Sequence, residues 1–460
     1  MSVEKVSETT NNNSVVTENS GSTKEVLNLA YPLMISFLSF SIMGVVDMLI
    51  LGYVGTPQQG GAGLGMTLFW MVVCLFTGTI SAISTFVSQG NGAGKYDELS
   101  KWVLASLAMV LPMSLMAWLI VPFIPHLVAL MNTTESVQEH VVPYMEIRII
   151  GATFIMINFT ISGFLRGLAD TKTPMVVTVI ANIVNLLMDV VLVFGLGPIP
   201  EMGVSGAAIA SVIGTASASV LYLSIYFSKK NNMLYNTRKL YWVGLKTIKD
   251  FLKVGAPLGG AWFIESLSWT LMTIYVASID SAGLAAHTIV FQIIHVSFMP
   301  TAALSVAAST LIGQYLGAER VDLAKQSARR SIITGLVMMG ITGIIFAFAR
   351  EDIVGIFSSD PEVVKLAALL LVIAAGFQLF DALGITSSGV LRGAGDTKFP
   401  MFAQIGAAWF VFIPLIFILG QYFEMGVLGA WLASLVFIVI LGTVLFIRVK
   451  SGHWTRMRVA

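Results

Sequence analysis

Apolar stretches long enough to cross a lipid bilayer recur twelve times along the chain, separated by polar breaks. Only 11% of the 460 residues are charged and 56% are hydrophobic, whereas soluble domains carry roughly 25% charged residues. So few charges cannot cover a water-soluble surface of this size. The sequence therefore predicts an all-α integral membrane protein with twelve transmembrane helices. The predicted segments are 28–52, 64–89, 102–125, 143–166, 174–196, 204–227, 251–277, 284–314, 330–349, 364–391, 400–419 and 426–447.

The same composition excludes several classes of protein. A net charge of +1 supplies no basic surface for nucleic acid. The single cysteine, Cys74, excludes a disulfide framework and a thiolate metal cluster. Residues 1–24 are polar and lack the apolar core of a signal peptide, so they are predicted to be a disordered tail.

The distribution of basic residues predicts the orientation in the membrane. All but three of the 26 lysines and arginines lie in the tails, in the 228–250 loop or in loops on the same side of the predicted bundle. The exceptions are Arg148, Arg350 and Lys365. By the positive-inside rule, both termini are predicted to be cytoplasmic.

The two halves of the chain repeat each other. GFLRGLADTKTPM at 163–175 returns as GVLRGAGDTKFPM at 389–401, and EMGVSGAAIAS at 201–211 returns as EMGVLGAWLAS at 424–434. Six segments separate equivalent points, so the repeats are parallel, as in many secondary transporters. The sequence predicts an N-lobe (25–227), a cytoplasmic loop (228–250), a C-lobe (251–447) and a cytoplasmic tail (448–460), with the lobes around a central cavity.

The repeated RG-x-x-DTK-x-P motif follows the fourth and tenth segments on the cytoplasmic side. Its glycines have a simple packing interpretation as G-x-x-x-G contacts between helices. The charged residues of the motif occur in both halves of the repeat. They suggest in addition a latch that differs between inward- and outward-open states. Its candidate residues are Arg166, Asp170, Arg392 and Asp396.

Four acidic residues fall well inside predicted segments: Asp47, Asp189, Glu265 and Asp381. An acid at the centre of a spanning helix costs about 2.5–3.5 kcal/mol, so each calls for an explanation. No lysine or arginine is expected near mid-span, since Arg148 is placed near one end of its helix. Such acids are either protonated or hold a metal ion, and both states suit the loading and release of H+ or Na+. A neutral, hydrogen-bonded acid is the structural alternative at each position.

Polar and aromatic residues accompany these acids. Asn185 lies one turn before Asp189 and shares its helix face, and Asn182 lies one turn further back. Asn158 adds a polar group in the fourth segment. His287 and His295 in the eighth segment suit either a proton relay or hydrogen-bonded packing. The candidate aromatic residues for a cavity that binds flat cations through cation–π contacts are Trp262, Trp269, Phe291 and Phe377.

Taken together, these features resemble the multidrug and toxic compound extrusion (MATE) family. The matching stretches include PLMISFLSFSIMGVVDMLILGYVG, FLRGLADTKTPM, NIVNLLMDVVLVFG, GAPLGGAWFIESLSWTLMTIYVA and FDALGITSSGVLRGAGDTKFPM. The resemblance covers about residues 25 to 450. It implies a two-lobed exporter of cationic, often aromatic compounds in the bacterial inner membrane, driven by inward H+ or Na+. The bilayer and small cationic substrates are its expected partners, with no nucleic acid, no obligate protein partner and no cofactor beyond the coupling ion.

The resemblance also implies roles for the acids. Asp47 matches the first-helix acid of the family, and Glu265 and Asp381 match the C-lobe pair of the NorM branch, where they would bind the coupling cation, Na+ included. Asn185 and Asp189 look more like the DinF branch. The chain departs from both patterns by having both sets. Phe377 lacks the hydroxyl that a NorM-like tyrosine would offer a cation, so the choice of ion stays open.

Two other functions compete with a drug antiporter. A membrane enzyme would need a nucleophile–base pair or a metal cluster, and no HExxH, GxSxG or clustered His/Asp set occurs in the sequence. An exporter of lipid-linked or other endogenous metabolites would share the architecture. A flippase for pyrophosphate-linked lipids would be expected to line its cavity with arginine and lysine.

Overall fold

The computed structural model describes residues 18–129 and 135–459, so most of the predicted 1–24 tail lies outside the described residues. Their secondary structure is helical, with no β-strand among them. Eleven helices of the described chain are long and apolar enough to cross a membrane. A twelfth helix, Leu245–Ala277, has the length, at 33 residues, but is less apolar and contains Glu265. The predicted twelve-helix, all-α fold is confirmed.

The long helices are numbered α1 to α12 in chain order. Each extends beyond the apolar segment predicted for it at one end or both, because the polar flanks continue the helix. The twelve helices are α1 Thr23–Val54, α2 Thr56–Gly92, α3 Tyr96–Ala129, α4 Glu135–Gly167, α5 Lys172–Phe194, α6 Gly203–Tyr226, α7 Leu245–Ala277, α8 Ser281–Gly317, α9 Val321–Phe348, α10 Pro361–Ala394, α11 Lys398–Tyr422 and α12 Gly426–Lys450.

Three of the long helices are irregular. In α3 a turn at 119–120 and the 3-10 turn Val121–Phe123 separate Tyr96–Trp118 from Ile124–Ala129. In α2 a turn at Ser81–Ala82 separates Thr56–Ile80 from Ile83–Gly92. In α11 two π-helical stretches, Ala408–Phe412 and Ile418–Tyr422, flank the segment that contains Pro414. Proline has no backbone N–H to donate to the preceding turn, and π-bulges in helices often lie at functional sites.

The two halves of the chain pack in the same way. In the N-lobe (α1–α6), α4 packs on α2 and α6, and in the C-lobe (α7–α12), α10 packs on α8 and α12. Between the lobes, α1 contacts α8 and α7 contacts α2, which is the same pairing shifted by six helices. We call the end of the bundle where α1 begins and α12 ends the termini side. The two-lobed arrangement of parallel repeats expected from the sequence is thereby present in the structure.

The first helix of each lobe contributes to the core of the other lobe. Near the termini side, Val26, Ala30 and Leu33 of α1 are buried in one cluster with Leu304 and other residues of the C-lobe. Correspondingly, Phe251, Val254 and Leu258 of α7 are buried in a cluster of N-lobe residues that includes Phe164. Farther along, α1 packs against α5 of its own lobe. Both first helices therefore connect the two lobes.

Candidate cation and substrate sites

An acidic pair lies within the N-lobe, where α1 packs against α5. Asp189 is fully buried, and its carboxyl group interacts directly with that of Asp47. Oδ1 of Asp47 and both carboxylate oxygens of Asp189 accept no hydrogen bond from the described residues. Asn185, one turn before Asp189, is also buried, and its amide group likewise has no hydrogen-bond partner there. The sequence placed Asp47, Asp189 and Asn185 in one lobe, and the structure brings them together.

Arg148 is a neighbour of this pair that the sequence did not reveal. The sequence analysis placed it near one end of its helix, but α4 begins at Glu135 instead of near residue 143. Arg148 therefore lies almost four turns inside the helix, given about 3.6 residues per turn. Its side chain is buried, its guanidinium carbon lies 4.6 Å from the centre of the Phe69 ring, and it interacts electrostatically with Asp47 and Asp189. The expectation that no basic residue would act on the buried acids was therefore wrong for Asp47 and Asp189.

The other two asparagines of the N-lobe have partners elsewhere. Nδ2 of Asn158 donates to the carbonyl oxygen of Thr215 at 3.0 Å, and its Oδ1 accepts from Oγ of Ser219 at 2.8 Å. Nδ2 of Asn182 donates to Oγ of Ser39 at 2.7 Å. In this structure Asn158 therefore links α4 to α6, and Asn182 links α5 to α1.

The second acidic pair lies in the C-lobe. Glu265 on α7 and Asp381 on α10 interact electrostatically, and Glu265 also interacts with Cys74 on α2 of the other lobe. Glu265 is exposed and Asp381 is half-buried, and neither takes part in an ion pair among the described residues. The interaction with Cys74 places Glu265 at the seam where α7 meets α2. The pair therefore lies beside the boundary between the lobes.

The predicted aromatic residues fall into two environments. Trp262 on α7 meets Phe159 on α4 edge to face, with ring centres 6.3 Å apart, so this pair bridges the lobes. Trp269 instead packs inside the C-lobe against Phe291 and Phe412, at 5.6 Å from each. Phe377 is almost fully buried in the same core. Phe159 was not predicted, because nothing in its sequence context distinguishes it from other apolar residues.

The two histidines of α8 differ in their surroundings. Nε2 of His287 lies 3.0 Å from Oγ1 of Thr273, which in turn donates to the carbonyl oxygen of Trp269. Since that hydroxyl hydrogen is committed to Trp269, the threonine oxygen accepts from His287, and Nε2 carries the hydrogen. Nδ1 of His287 is buried without a partner among the described residues. His295 is exposed.

Among the hydrogen bonds that join the lobes at the termini side, four form a symmetric set that we call the glutamine latch. Nε2 of Gln89 donates to the carbonyl oxygen of Gly393 at 3.0 Å, and Nε2 of Gln314 donates to that of Gly167 at 2.9 Å. The other two bonds run from Oγ1 of Thr85 to the carbonyl of Arg392 at 3.0 Å and from Oγ1 of Thr310 to the carbonyl of Arg166 at 3.1 Å. Each bond has its counterpart in the other half of the repeat.

The repeated motif supplies the acceptors of the glutamine latch through its backbone. The charged side chains proposed as a latch have local partners instead: Arg166 donates to Ser162, and Asp170 accepts from the backbone and hydroxyl of Thr173. Asp396 forms an ion pair with Arg448 at 2.8 Å. Arg392 takes part in the glutamine latch through its backbone carbonyl oxygen, which accepts the hydrogen bond from Thr85. The repeat contained a signal for the donors, because Gln89 and Gln314 occupy equivalent positions in it.

Two glycines allow the helices of the glutamine latch to approach closely. A Cβ atom at Gly92 would collide with the backbone carbonyl oxygen of Gln314, and one at Gly317 would collide with that of Gln89. A backbone carbonyl in a helix cannot move aside as a side chain can. Glycine at both positions is therefore required for the contact as it stands.

The segment after α12 contacts the glutamine latch at Gln89. Trp454 is buried and donates from Nε1 to the carbonyl oxygen of Val449. Five residues later, the backbone nitrogen of Val459 donates to Oε1 of Gln89 at 2.9 Å. Gln89 therefore uses both ends of its amide group in this structure.

Comparisons with known proteins give the same picture. The family model MatE matches twice, over residues 32–191 and 257–418, which correspond to the two halves of the internal repeat. The probable multidrug resistance protein NorM of Thermotoga maritima is 27% identical over 437 residues, covering 95% of this chain and 94% of that protein. The protein of the same name from Pasteurella multocida is 27% identical over 436 residues, covering 93% and 94%.

A solved structure shares the fold. A multidrug resistance MATE family transporter in an outward-facing conformation superposes with a TM-score of 0.85 at 18% identity, over 95% of this chain and 97% of that one. The proteins of this family are transporters and not enzymes. This confirms the prediction, made from the sequence, that the protein is not an enzyme. The match of the family model to both halves decides the assignment: the chain belongs to the multidrug and toxic compound extrusion family of membrane transporters.

Proposed function

We propose that this transporter exports cationic, often aromatic compounds in exchange for H+ or Na+ that enters the cell. The observation that supports it most directly is the presence of one acidic pair in each lobe, on helices of the membrane-spanning fold. Neither pair makes a direct ion pair with a basic residue of the described chain. Carboxylates in that situation attract a cation, which is either the coupling ion or the drug. The multidrug resistance names of the relatives agree with this function.

We place the termini side in the cytoplasm of a bacterial cell, with the protein in the inner membrane. The support is the positive-inside rule, since the tails and the 228–250 loop carry most of the basic residues. The glutamine latch then closes the cytoplasmic end of the boundary between the lobes. Such an arrangement fits the outward-open member of an alternating-access cycle.

Transport requires that ion and drug favour different states, because a ligand that binds both states equally shifts no equilibrium. In the proposed cycle, the outward-open form takes up H+ or Na+ at its acidic pairs. Neutralising a carboxylate removes the attraction that held the cationic drug in a medium of low dielectric constant, so the drug leaves to the outside. The lobes then rock, and the ion leaves to the cytoplasm.

The two pairs suit different ions in this proposal. Glu265 and Asp381 together offer several oxygen atoms, as a hard cation such as Na+ prefers, with Glu265 accessible. Asp47 and Asp189 are assigned to a proton, because two carboxylates in direct interaction can share one. Trp262 and Phe159 supply aromatic faces for a flat cation at the boundary between the lobes.

The test is uptake of ethidium, a permanently charged aromatic cation, into everted membrane vesicles. Imposed gradients of H+ and of Na+ are applied separately, and vesicles without the protein serve as the control. Uptake driven by one gradient or by both supports the antiporter. Uptake that responds to neither gradient contradicts it.

Equilibrium binding to the purified protein tests the competition between ion and drug. The affinity for ethidium is measured across Na+ concentration at fixed pH, and across pH without Na+. We expect the affinity to fall as either ion neutralises its acidic pair. An affinity that is indifferent to both ions would rule the competition out, and dependence on pH alone would identify a proton antiporter.

A further inference from the structure

The loop between the lobes carries a cluster of exposed apolar side chains. Leu240 is 89% exposed, Trp242 is 92% exposed and Leu245, the first residue of α7, is 85% exposed. We call these three side chains the Trp242 surface. Single exposed apolar residues are common on proteins, whereas several on one short segment indicate a site of interaction. The Trp242 surface is therefore a candidate contact for something outside the chain.

The segment around the Trp242 surface is strongly basic. Residues 229–253 include seven lysines and arginines and a single acid, Asp250. Asp250 forms an ion pair with Lys253 at 2.7 Å, and Arg238 donates to the backbone carbonyl oxygen of Phe227. The other basic side chains are exposed and take part in no ion pair among the described residues; they are Lys229, Lys230, Lys239, Lys246 and Lys249. The apolar side chains are thus surrounded by positive charge that the protein itself does not neutralise.

Hydrogen bonds to α3 hold this loop in place. The hydroxyl group of Tyr241 donates to the backbone carbonyl oxygen of Asp97 at 2.7 Å, and Nδ2 of Asn236 donates to the carboxylate of Asp97 at 2.6 Å. Tyr241 lies between Leu240 and Trp242 in the sequence, so its contact with α3 fixes the backbone that carries both of them. The Trp242 surface is therefore displayed by an ordered loop and not by a free linker.

The helices that hold the loop face the lipid. Leu111 and Leu115 of α3 and Val220 of α6 are exposed, and apolar side chains on the outside of a spanning helix contact hydrocarbon. The loop follows the end of α6 at Tyr226 and is attached to the start of α3 at Asp97. Both are ends of membrane-spanning helices on the termini side. The Trp242 surface therefore lies beside the edge of the bilayer.

We propose that the Trp242 surface rests on the bilayer beside α3 and α6, and that Lys239, Lys246 and Lys249 bind the phosphate groups of anionic phospholipids there. Tryptophan is enriched at the membrane–water interface, because its ring is apolar and its N–H is polar. Clusters of four to eight basic residues beside a spanning helix attract anionic lipids. A bilayer offers an apolar layer next to a layer of phosphate groups, which is the combination that this segment matches. The proposed cytoplasmic placement of the termini side decides only which leaflet is bound.

The test places a fluorescent label on the loop of the full chain in lipid nanodiscs that hold one copy of the protein. Leu240→Cys is labelled with a nitrobenzoxadiazole maleimide in a Cys74→Ser background, which leaves Trp242 in place. The discs contain phosphatidylcholine alone or mixed with anionic phosphatidylglycerol. A phosphatidylcholine with a nitroxide near its headgroup quenches any label that touches the bilayer. Lys95→Cys is the matched control site, because Lys95 is exposed on the termini side in the turn between α2 and α3.

We expect the label at position 240 to be quenched roughly twofold more strongly in the discs with phosphatidylglycerol, and the label at position 95 to be quenched weakly in both kinds of disc. The triple variant Lys239→Gln/Lys246→Gln/Lys249→Gln should lose the difference between the lipids, since it removes the charges. Trp242→Ala should weaken quenching at position 240 in both lipids. All of these side chains are exposed, so the variants should keep the melting temperature of the parent protein and its ethidium affinity in detergent.

Four results would overturn the proposal. Equal quenching of the two labels in discs with phosphatidylglycerol would show that the loop does not touch the bilayer. Equal quenching at position 240 in both lipids would exclude recognition of anionic headgroups. Loss of the phosphatidylglycerol effect on adding inorganic phosphate at constant ionic strength would identify a site for a free anion. A label shielded from aqueous iodide only in discs with two copies would identify a second copy as the occupant. None of these results bears on antiport, which the vesicle experiment tests separately.

Discussion

The side chain of Gln89 donates a hydrogen bond across the lobe boundary to the backbone carbonyl of Gly393, and the repeat reproduces this bond between Gln314 and Gly167. Both donors are buried, so the carbonyls they satisfy have no water as a substitute partner. The contact therefore stabilises one relative position of the lobes. It also opens a direct way to shift that position by mutation.

Removing one glutamine should favour opening at the termini side. Gln89→Ala or Gln314→Ala leaves a buried carbonyl unsatisfied, at a cost of about 1–3 kcal/mol to the closed state. The measurement is maleimide labelling of a cysteine introduced at Ser309, a buried residue beside Gly393, in a Cys74→Ser background. We expect labelling to be faster in either glutamine variant. As a control, the glutamine variants are also made with the native Cys74 in place. This buried cysteine should stay unreactive, which distinguishes opening of the lobes from unfolding. Unchanged labelling at position 309 would show that the bond does not hold the lobes.

A methyl group at the glutamine latch should prevent its closure. Gly92→Ala or Gly317→Ala places a Cβ against a backbone carbonyl of the other lobe, and we expect gradient-driven ethidium transport to fall by an order of magnitude or more while the protein remains folded. Gly406→Ala is the matched control, because a Cβ there meets no atom within 4 Å. Transport by Gly317→Ala equal to that of Gly406→Ala would contradict the close-contact argument.

The C-lobe acids should be needed for coupling and not for folding. Asp381→Asn and Glu265→Gln are nearly isosteric and remove only the ionisable group. Each should abolish ethidium uptake driven by the Na+ gradient in everted vesicles, with an unchanged size-exclusion profile. Full transport by either variant under every gradient would show that the residue is structural.

The aromatic pair between the lobes should contribute to drug binding. Trp262→Ala removes the larger ring and should raise the Kd for ethidium roughly tenfold, whereas Trp262→Phe should have a smaller effect, because cation–π attraction is strongest for tryptophan. Trp242→Ala serves as the control, since that tryptophan is 92% exposed in the loop between the lobes. Equal affinities in the Trp262→Ala and Trp242→Ala variants would remove Trp262 from the drug site.

The ion pair between Asp396 and Arg448 should stabilise the end of the chain. Asp396 is buried, and Arg448 also lies over the Phe399 ring at 4.7 Å. Arg448→Met leaves a buried carboxylate without its partner, and we expect a loss of about 3 kcal/mol, seen as a lower apparent melting temperature. The exposed Arg456 gives the control variant Arg456→Met. A melting temperature unchanged by Arg448→Met would mean that the pair adds nothing to stability.

Hydropathy and the internal repeat predicted the architecture well, because both patterns are properties of long segments. The acids at Asp47 and Asp189 were likewise found from sequence, since a charge within an apolar stretch is conspicuous. Arg148 was missed for the opposite reason. Polar residues from Glu135 onward extend α4 beyond its apolar part, so hydropathy misjudged where the helix begins.

The glutamine latch was only partly visible in the sequence. Its donors and acceptors are separated by 304 residues for Gln89 and by 147 for Gln314, so no local pattern connects them. The repeated charges drew attention to Arg166 and Asp396, while the bonds across the boundary use backbone carbonyls. Every residue has a backbone carbonyl group, so the sequence does not show which carbonyls form these bonds.

The exchange of first helices has a consequence for how the protein assembles. Val26, Ala30 and Leu33 complete a core of the C-lobe, and Phe251 with Val254 completes one of the N-lobe. A fragment that ends in the 228–250 loop would keep a helix whose apolar end has no site, and would lack the helix that fills its own groove. If that fragment and the complementary C-terminal half were synthesised together, each would supply the helix that the other lacks. Each half of the repeat therefore depends on the first helix of the other half to complete one of its cores.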